Sequence, residues 1–219
     1  MFDNEVPAEW REDLFDLIRI TPNLDWLLLT KRPQNIGRMV QLHGAIAGNG
    51  LRYLPENVWL GTTVCNQEEA DRNIPKLLSV PTAAVRFLSI EPMLGAVDLS
   101  MIPIRGSGHH EFDPIVTANA LRRAKAYPPL PKIDWVICGG ESGPKARPMN
   151  LDWVRSLRDQ CSAAGVPFFF KQWGVFAPIG NTSANGVMRD FIGMAPIGIK
   201  EAGRLLDSCE HNEFPGGRS

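Results

Sequence analysis

The sequence predicts an α/β fold in which parallel strands alternate with helices, as a central sheet or a (β/α) barrel. Three observations predict it. Five short apolar runs lack the period-two alternation of a half-exposed strand. Amphipathic segments lie between them. Each run then stops in hydrogen-bonding or charged residues. Such alternation implies parallel βαβ units joined by right-handed crossovers.

The first helix is expected from Pro7 to Ile20. Trp10, Leu14, Leu17 and Ile18 fall on one face, and Pro22 follows as a stop. Leu24 to Thr30 is an apolar run too short for a free-standing helix, so it reads as a strand buried on both faces. A second helix follows from Gln34 to Leu42, with Ile36, Met39 and Val40 on one stripe. The second strand is Asn57 to Val64. The helix from Asn66 to Leu78 has Asn66 as its N-cap and Glu68 and Glu69 in the first turn, while Pro75 is expected to break or kink it. Ala84 to Ile90 is the third strand.

Residues 99–132 interrupt the rhythm. They contain Gly106-Ser-Gly-His-His110, a helix start at Asp113-Pro114 and the proline-rich stretch Pro128 to Pro131, and read as a surface excursion or a lid. The pattern resumes with a strand from Ile133 to Cys138. A helix from Asn150 to Ala164 is capped by Asn150 and ended by Gly165, with Val154, Leu157 and Cys161 on one face. Val166 to Phe170 is the fifth strand. From Ala177 to Pro196 the glycine- and asparagine-rich sequence reads as a long loop or hairpin. The expected organisation is therefore a barrel-type unit over 1–176, with its insert, and an irregular extension over 177–219.

Composition narrows the function classes. The 219 residues are 44% hydrophobic and 21% charged with a formal net charge of -1, an ordinary globular balance with no global attraction to nucleic acid or membrane. No apolar run reaches the roughly 18 residues that span a bilayer, and the acidic start Met-Phe-Asp-Asn-Glu-Val-Pro is no secretory signal. Cys65, Cys138, Cys161 and Cys209 are widely spaced and form no CxxC pair. They are expected to be reduced thiols of a cytoplasmic protein. His109-His110-Glu111 lacks companion ligands, so no metal site is expected; neither His43 nor His211 adds one.

Ligands of parallel α/β folds bind at the carboxyl ends of the strands. Those ends carry Thr30-Lys31-Arg32, then Thr63 with Asn66-Gln67, then Ser89 with Glu91. The last two carry Gly139-Gly140-Glu141-Ser142 and Lys171-Gln172-Trp173. All five sets would share one mouth if the sheet curves into a barrel. Glu91 and Lys171 are the candidate catalytic residues, and they could pair. Lys31, Arg32, Asn66, Glu141, Ser142, Arg147, Gln172 and Trp173 are the candidate ligand contacts. Gly139 and Gly140 would let backbone N–H groups approach a phosphate or carboxylate, with Lys145 or Arg147 as counter-charge. The stretch lacks Rossmann spacing and a Walker lysine, and Ser142 is out of register for a G-x-S-x-G nucleophile.

Leu29-Thr-Lys-Arg-Pro33, Arg86-Phe-Leu-Ser-Ile-Glu-Pro92, Gly139-Gly-Glu-Ser-Gly143 and Phe170-Lys-Gln-Trp-Gly174, in this order, resemble the phage gene-product 37/68 family of uncharacterised phage and prophage proteins. Asn57 to Gly61, Ala202 to Asp207 and Asn212 to Pro215 fit it too, so the resemblance covers nearly the whole chain apart from the insert. It implies a radical-S-adenosylmethionine-like barrel. In that family an upstream cysteine cluster ending in Cys-x-x-Cys-Tyr would bind a [4Fe–4S] cluster. That cluster has no counterpart here. The resemblance therefore implies a partial (β/α) TIM-like barrel of parallel strands, incomplete at its amino terminus. The chain would be the carboxy-terminal part of a longer protein, through truncation, a split gene or a start-site assignment. Alone it would bind no cofactor and be inactive; S-adenosylmethionine and the cluster would belong to the full-length form.

Two other readings stand beside this one. A nucleotide or nucleic-acid binding module would use Lys31-Arg32, Arg122-Arg123-Lys125, Lys145 and Arg147 as a local basic face. A degenerate prophage remnant would have no activity. On any of them, an open barrel edge could drive self-association.

Overall fold

A computed structural model describes residues 1–40, 54–80, 83–105, 115–123, 131–183 and 188–216. Helix α1 (Ala8–Ile20) leads into strand β1 (Trp26–Thr30). A 3-10 turn at Pro33–Asn35 opens helix α2, described over 36–40. Then follow β2 (Val58–Thr63), α3 (Gln67–Leu78) and β3 (Val85–Ile90). The insert supplies β4 (Ile102–Arg105) and β5 (Ile115–Ala118), and the main pattern returns with β6 (Trp135–Gly139), α4 (Leu151–Ala164) and β7 (Phe168–Gln172). The chain ends with β8 (Phe176–Thr182), β9 (Met188–Pro196), the single turn α5 (Ile199–Ala202) and a tail.

The central sheet has the order β1-β2-β3-β6-β7, with every neighbouring pair parallel. Spatial order equals chain order, so all right-handed crossovers fall on one face. That face carries Leu28, Leu60, Leu88, Val136, Phe168 and Phe170 against Ile18, Ile36, Ile74, Leu77, Val154 and Leu157. The opposite face holds a separate aromatic cluster of Trp59, Phe87 and Trp135. Phe87 lies over Gly61, where an added Cβ would stand 2.3 Å from its ring. Glycine makes that packing possible.

Among the described residues the sheet does not close, so the expected (β/α) TIM-like barrel is an open five-stranded sheet. A TIM barrel needs eight tilted strands to come full circle, and five leave two edges. One edge is β1, where Leu27 and Leu29 are exposed. The strand expected to be buried on both faces is therefore half exposed. The other edge, β7, is covered by the tail: Phe169 bridges Asn212, and Phe170 N–H donates to His211 O at 2.9 Å.

Packing decides three local expectations. On α1 the buried side chains are Phe15 and Ile18, while Trp10 and Leu17 face solvent. Of the stripe inferred from spacing, Ile18 and Leu14 meet the core and Trp10 and Leu17 do not. Pro75 does not break α3, which runs through it to Leu78. Only one further turn follows, and burial of Ile74, Leu77 and Leu78 offsets the roughly 3 kcal/mol of a helical proline. Finally, of the loop and hairpin expected from Ala177 to Pro196, the described residues form the hairpin, β8 pairing antiparallel with β9 through two register shifts.

The insert joins the core through β4 and β5, burying Leu99, Ile102, Ile104 and Leu121. His43, His109, His110, Glu111, Lys125 and the Asp113-Pro114 helix start lie outside the described residues. No described helix is long and apolar enough to cross a membrane.

Candidate functional site

The loops after β2, β3 and β6 are laced together at the carboxyl end of the sheet. Met93 N–H donates to Gly139 O at 3.1 Å, and Leu94 N–H to Cys65 O at 2.8 Å. Glu91 follows β3 directly and joins Pro92 through a cis peptide. Its side chain passes over Gly139, where an added Cβ would meet Glu91 Cδ at 3.2 Å. The glycine expected to approach a ligand makes room instead for this carboxylate.

Lys171 Nζ stands 3.0 Å from both Glu91 oxygens. Gln172 Nε2 donates to Ser142 Oγ at 3.2 Å and reaches Glu91 Oε1 at a longer 3.5 Å. Adjacent residues of a regular strand point to opposite faces. Here the pairing skips one residue: Cys138 opposes Phe170 and Gly139 opposes Gln172, leaving Lys171 unopposed. This bulge brings both side chains to the same carboxylate.

The same extra residue corrects the reading of Trp173. With the alternation shifted by one, Trp173 follows Phe168 and Phe170 into the core. Its ring packs against Phe170 at 4.9 Å, and Nε1 donates to Leu205 O at 2.9 Å. It is held away from the mouth.

Glu141 and Arg147 form the second pair. Arg147 donates from its backbone N at 2.8 Å, from Nε at 2.8 Å and from Nη2 at 2.7 Å. These hydrogen bonds hold the Glu141 carboxyl down to about 2. The glycines around it are matters of close approach. A Cβ on Gly140 would lie 1.8 Å from Trp173 O, and Gly174 has φ of 82° with Glu141 O against it. Gly140 thus seats the β6 loop on the β7 loop.

Asn66 Oδ1 accepts from Glu69 N–H at 3.0 Å, and Glu69 Oε2 accepts from Cys65 N–H at 2.9 Å. This reciprocal arrangement caps α3, so the Asn66 side chain is committed to the helix start rather than held free for a ligand. Burial, with Glu69 adding to it, pushes the Cys65 thiol up to about 11; Lys31 and Arg147 are near enough to pull the other way. Arg32 is engaged by Asp3 at 2.5 Å.

The tail was not anticipated as a partner of the sheet edge and α4. Arg155 and Arg158 of α4 both grip Asp207, Trp135 Nε1 donates to Glu213 O, and Phe168 N–H donates to Glu213 Oε2. Nothing in the spacing of Gly203 to Ser219 signals these contacts, because they depend on where the chain returns.

The cysteines do not fit an iron–sulfur cluster. Cys138 and Cys161 are buried in the core, where burial raises both thiols, Cys161 to about 12; Cys65 is at the rim and Cys209 in the tail. Among the described residues no three His, Cys, Asp or Glu side chains converge as metal ligands. The cations of the proposed basic face are also divided. Arg122 donates to Ala163 O at the carboxyl end of α4, and Arg123 acts on Arg86 at the start of β3. Both are at the opposite end of the strands from Lys31 and Arg147.

No curated protein and no solved structure matches the chain. The family described as Protein of unknown function (DUF5131) matches residues 1–215, and the chain belongs to that family.

Proposed function

We propose that this chain is the substrate-binding part of a radical-SAM-like enzyme of the kind its sequence resembles, with its ligand at the carboxyl ends of β3, β6 and β7. The single observation that carries this reading is the Glu91–Lys171 contact built by the bulge. The lysine side chain is 53% exposed and the carboxylate 22%, so the cation can turn to a ligand while the acid stays in place. Such a pair can exchange a proton with a bound molecule, Glu91 as acceptor and Lys171 as donor. Ser142 and Gln172 flank it and supply hydrogen bonds that set ligand orientation.

S-adenosylmethionine and a [4Fe–4S] cluster enter this reading only through the resemblance, as does the phage and prophage setting. The residues present do not suit the cluster, and the chain by itself is expected to be redox-inactive. The test compares the purified chain with the longest reading frame that contains it, each reconstituted anaerobically with iron and sulfide. Cluster absorbance and S-adenosylmethionine cleavage are expected in the longer form alone. A longer form that takes up no cluster would overturn the enzyme class.

A further inference from the structure

We infer that the mouth takes its ligand through an oxyanion, a phosphate or a carboxylate, held between Arg147 and Lys31 beside Cys65. This deepens the reading above and rests on it for the location of the ligand.

The carboxylates of the mouth are all engaged. Glu69 accepts from Cys65 N–H and neighbours Arg72, Glu91 holds Lys171, and Glu141 takes three donors of Arg147. Two of the cations keep free donors. Lys31 is exposed and has no hydrogen bond or ion pair among the described residues. Arg147 is bound side-on through Nε and Nη2, which leaves Nη1 uncommitted among the described residues on a side chain that is 60% exposed. Glu141 therefore acts as a positioning residue that fixes the guanidinium with a donor edge presented outward. Arg72, Lys171 and Arg147 stand against Glu69, Glu91 and Glu141, and Lys31 is left as the excess positive charge.

The loops that carry the two receptor groups are linked through the Cys65 loop between them. β1 and β2 run in register, Thr30 opposite Thr62, so Lys31 flanks the segment that continues from Thr63 to Cys65. The Cys65 loop is tied by Leu94 to the Glu91 loop, and that loop by Met93 to Gly139, two residues before Glu141. The influence of both Lys31 and Arg147 on the Cys65 thiol agrees with this convergence. A guanidinium edge and a mobile ammonium are suited to oxygen anions and offer nothing to an apolar or cationic group.

Cys65 is a built-in reporter, because an anion bound beside it disfavours the thiolate that reacts with alkylating agents. The experiment uses the whole chain with Cys209→Ser, which leaves Cys65 as the accessible thiol, and measures iodoacetamide modification by mass spectrometry at pH 9. Sodium pyrophosphate and sodium malonate are titrated at ionic strength held constant with sodium chloride. Saturable slowing of about threefold or more is expected, and the stronger of the two salts distinguishes phosphate from carboxylate recognition. Lys31→Ala and Arg147→Gln should each abolish the saturation. Lys31→Ala breaks no contact of the described fold, so its loss is not one of folding. Absence of slowing, slowing that merely rises in proportion to added salt, or saturation that survives either variant overturns the inference. A longer form that binds no cluster would defeat the enzyme class and leave this result standing.

Discussion

Lys171 Nζ lies 3.0 Å from both oxygens of Glu91 although 80 positions separate them in the chain. The contact forms because Lys171 has no partner across from β6. Because the lysine is half exposed, the ion pair itself contributes less than about 1 kcal/mol to folding. Glu91→Gln and Lys171→Ala should therefore shift the melting temperature by less than about 4 °C, while ligand turnover in the longer form falls about 100-fold. A large loss of stability with turnover intact would make the pair structural.

Two glycines should respond in opposite senses. Gly140→Ala sets a Cβ 1.8 Å from Trp173 O, a backbone atom that cannot rotate away. A loss of about 3 kcal/mol is expected, with Lys171 and Gln172 displaced as the two loops separate. Gly37 is helical and an added Cβ meets nothing within 4 Å, so Gly37→Ala should stabilise by about 0.5–1 kcal/mol. Urea unfolding of both variants checks the pair; equal effects would contradict the packing described.

The tail should be pH-sensitive through Asp207. Burial opposes ionisation of Asp207, but hydrogen bonds from Arg155 and Arg158 outweigh it and hold the carboxyl below its usual value. A depressed carboxyl contributes stability that is complete above the unfolded value of about 3.9 and is lost as pH falls through the lower folded value. Asp207→Asn should mimic that loss at neutral pH and cost about 2 kcal/mol, less than a fully buried pair because its side chain stays 16% exposed. Hydrogen exchange over residues 203–216 should quicken in the variant, and unchanged protection there would refute the clamp.

The β1 edge is expected to govern self-association. Leu27 and Leu29 stand exposed on an edge strand, beside the exposed Leu24, and such an edge templates pairing with another chain. Leu27→Lys or Leu29→Lys should lower concentration-dependent association in sedimentation runs while leaving the fold intact. Association that persists in both variants would place the contact elsewhere.

The strands and helices were legible because apolar runs and capping residues act locally. Asn66 and Asn150 each accept a backbone N–H of the following helix, and Gly165 closes α4 at φ of 64°. Trp10 and Leu17 misled, since helical spacing aligns side chains on a face without saying which face meets the sheet. Trp173 misled for a similar reason: alternation counts residues, and one unpaired lysine changes the count.

The order of strands and helices, and the gathering of polar residues at the strand ends, follow from the sequence alone, because short-range propensity and the rule for parallel sheets suffice. Tertiary structure alone decided that the five parallel strands stay open among the described residues, that the tail seals β7, and that Glu91 meets Lys171 and Gln172 together. Each depends on residues distant in the chain meeting at one register, and a shift of a single position would send the same side chains to the opposite face.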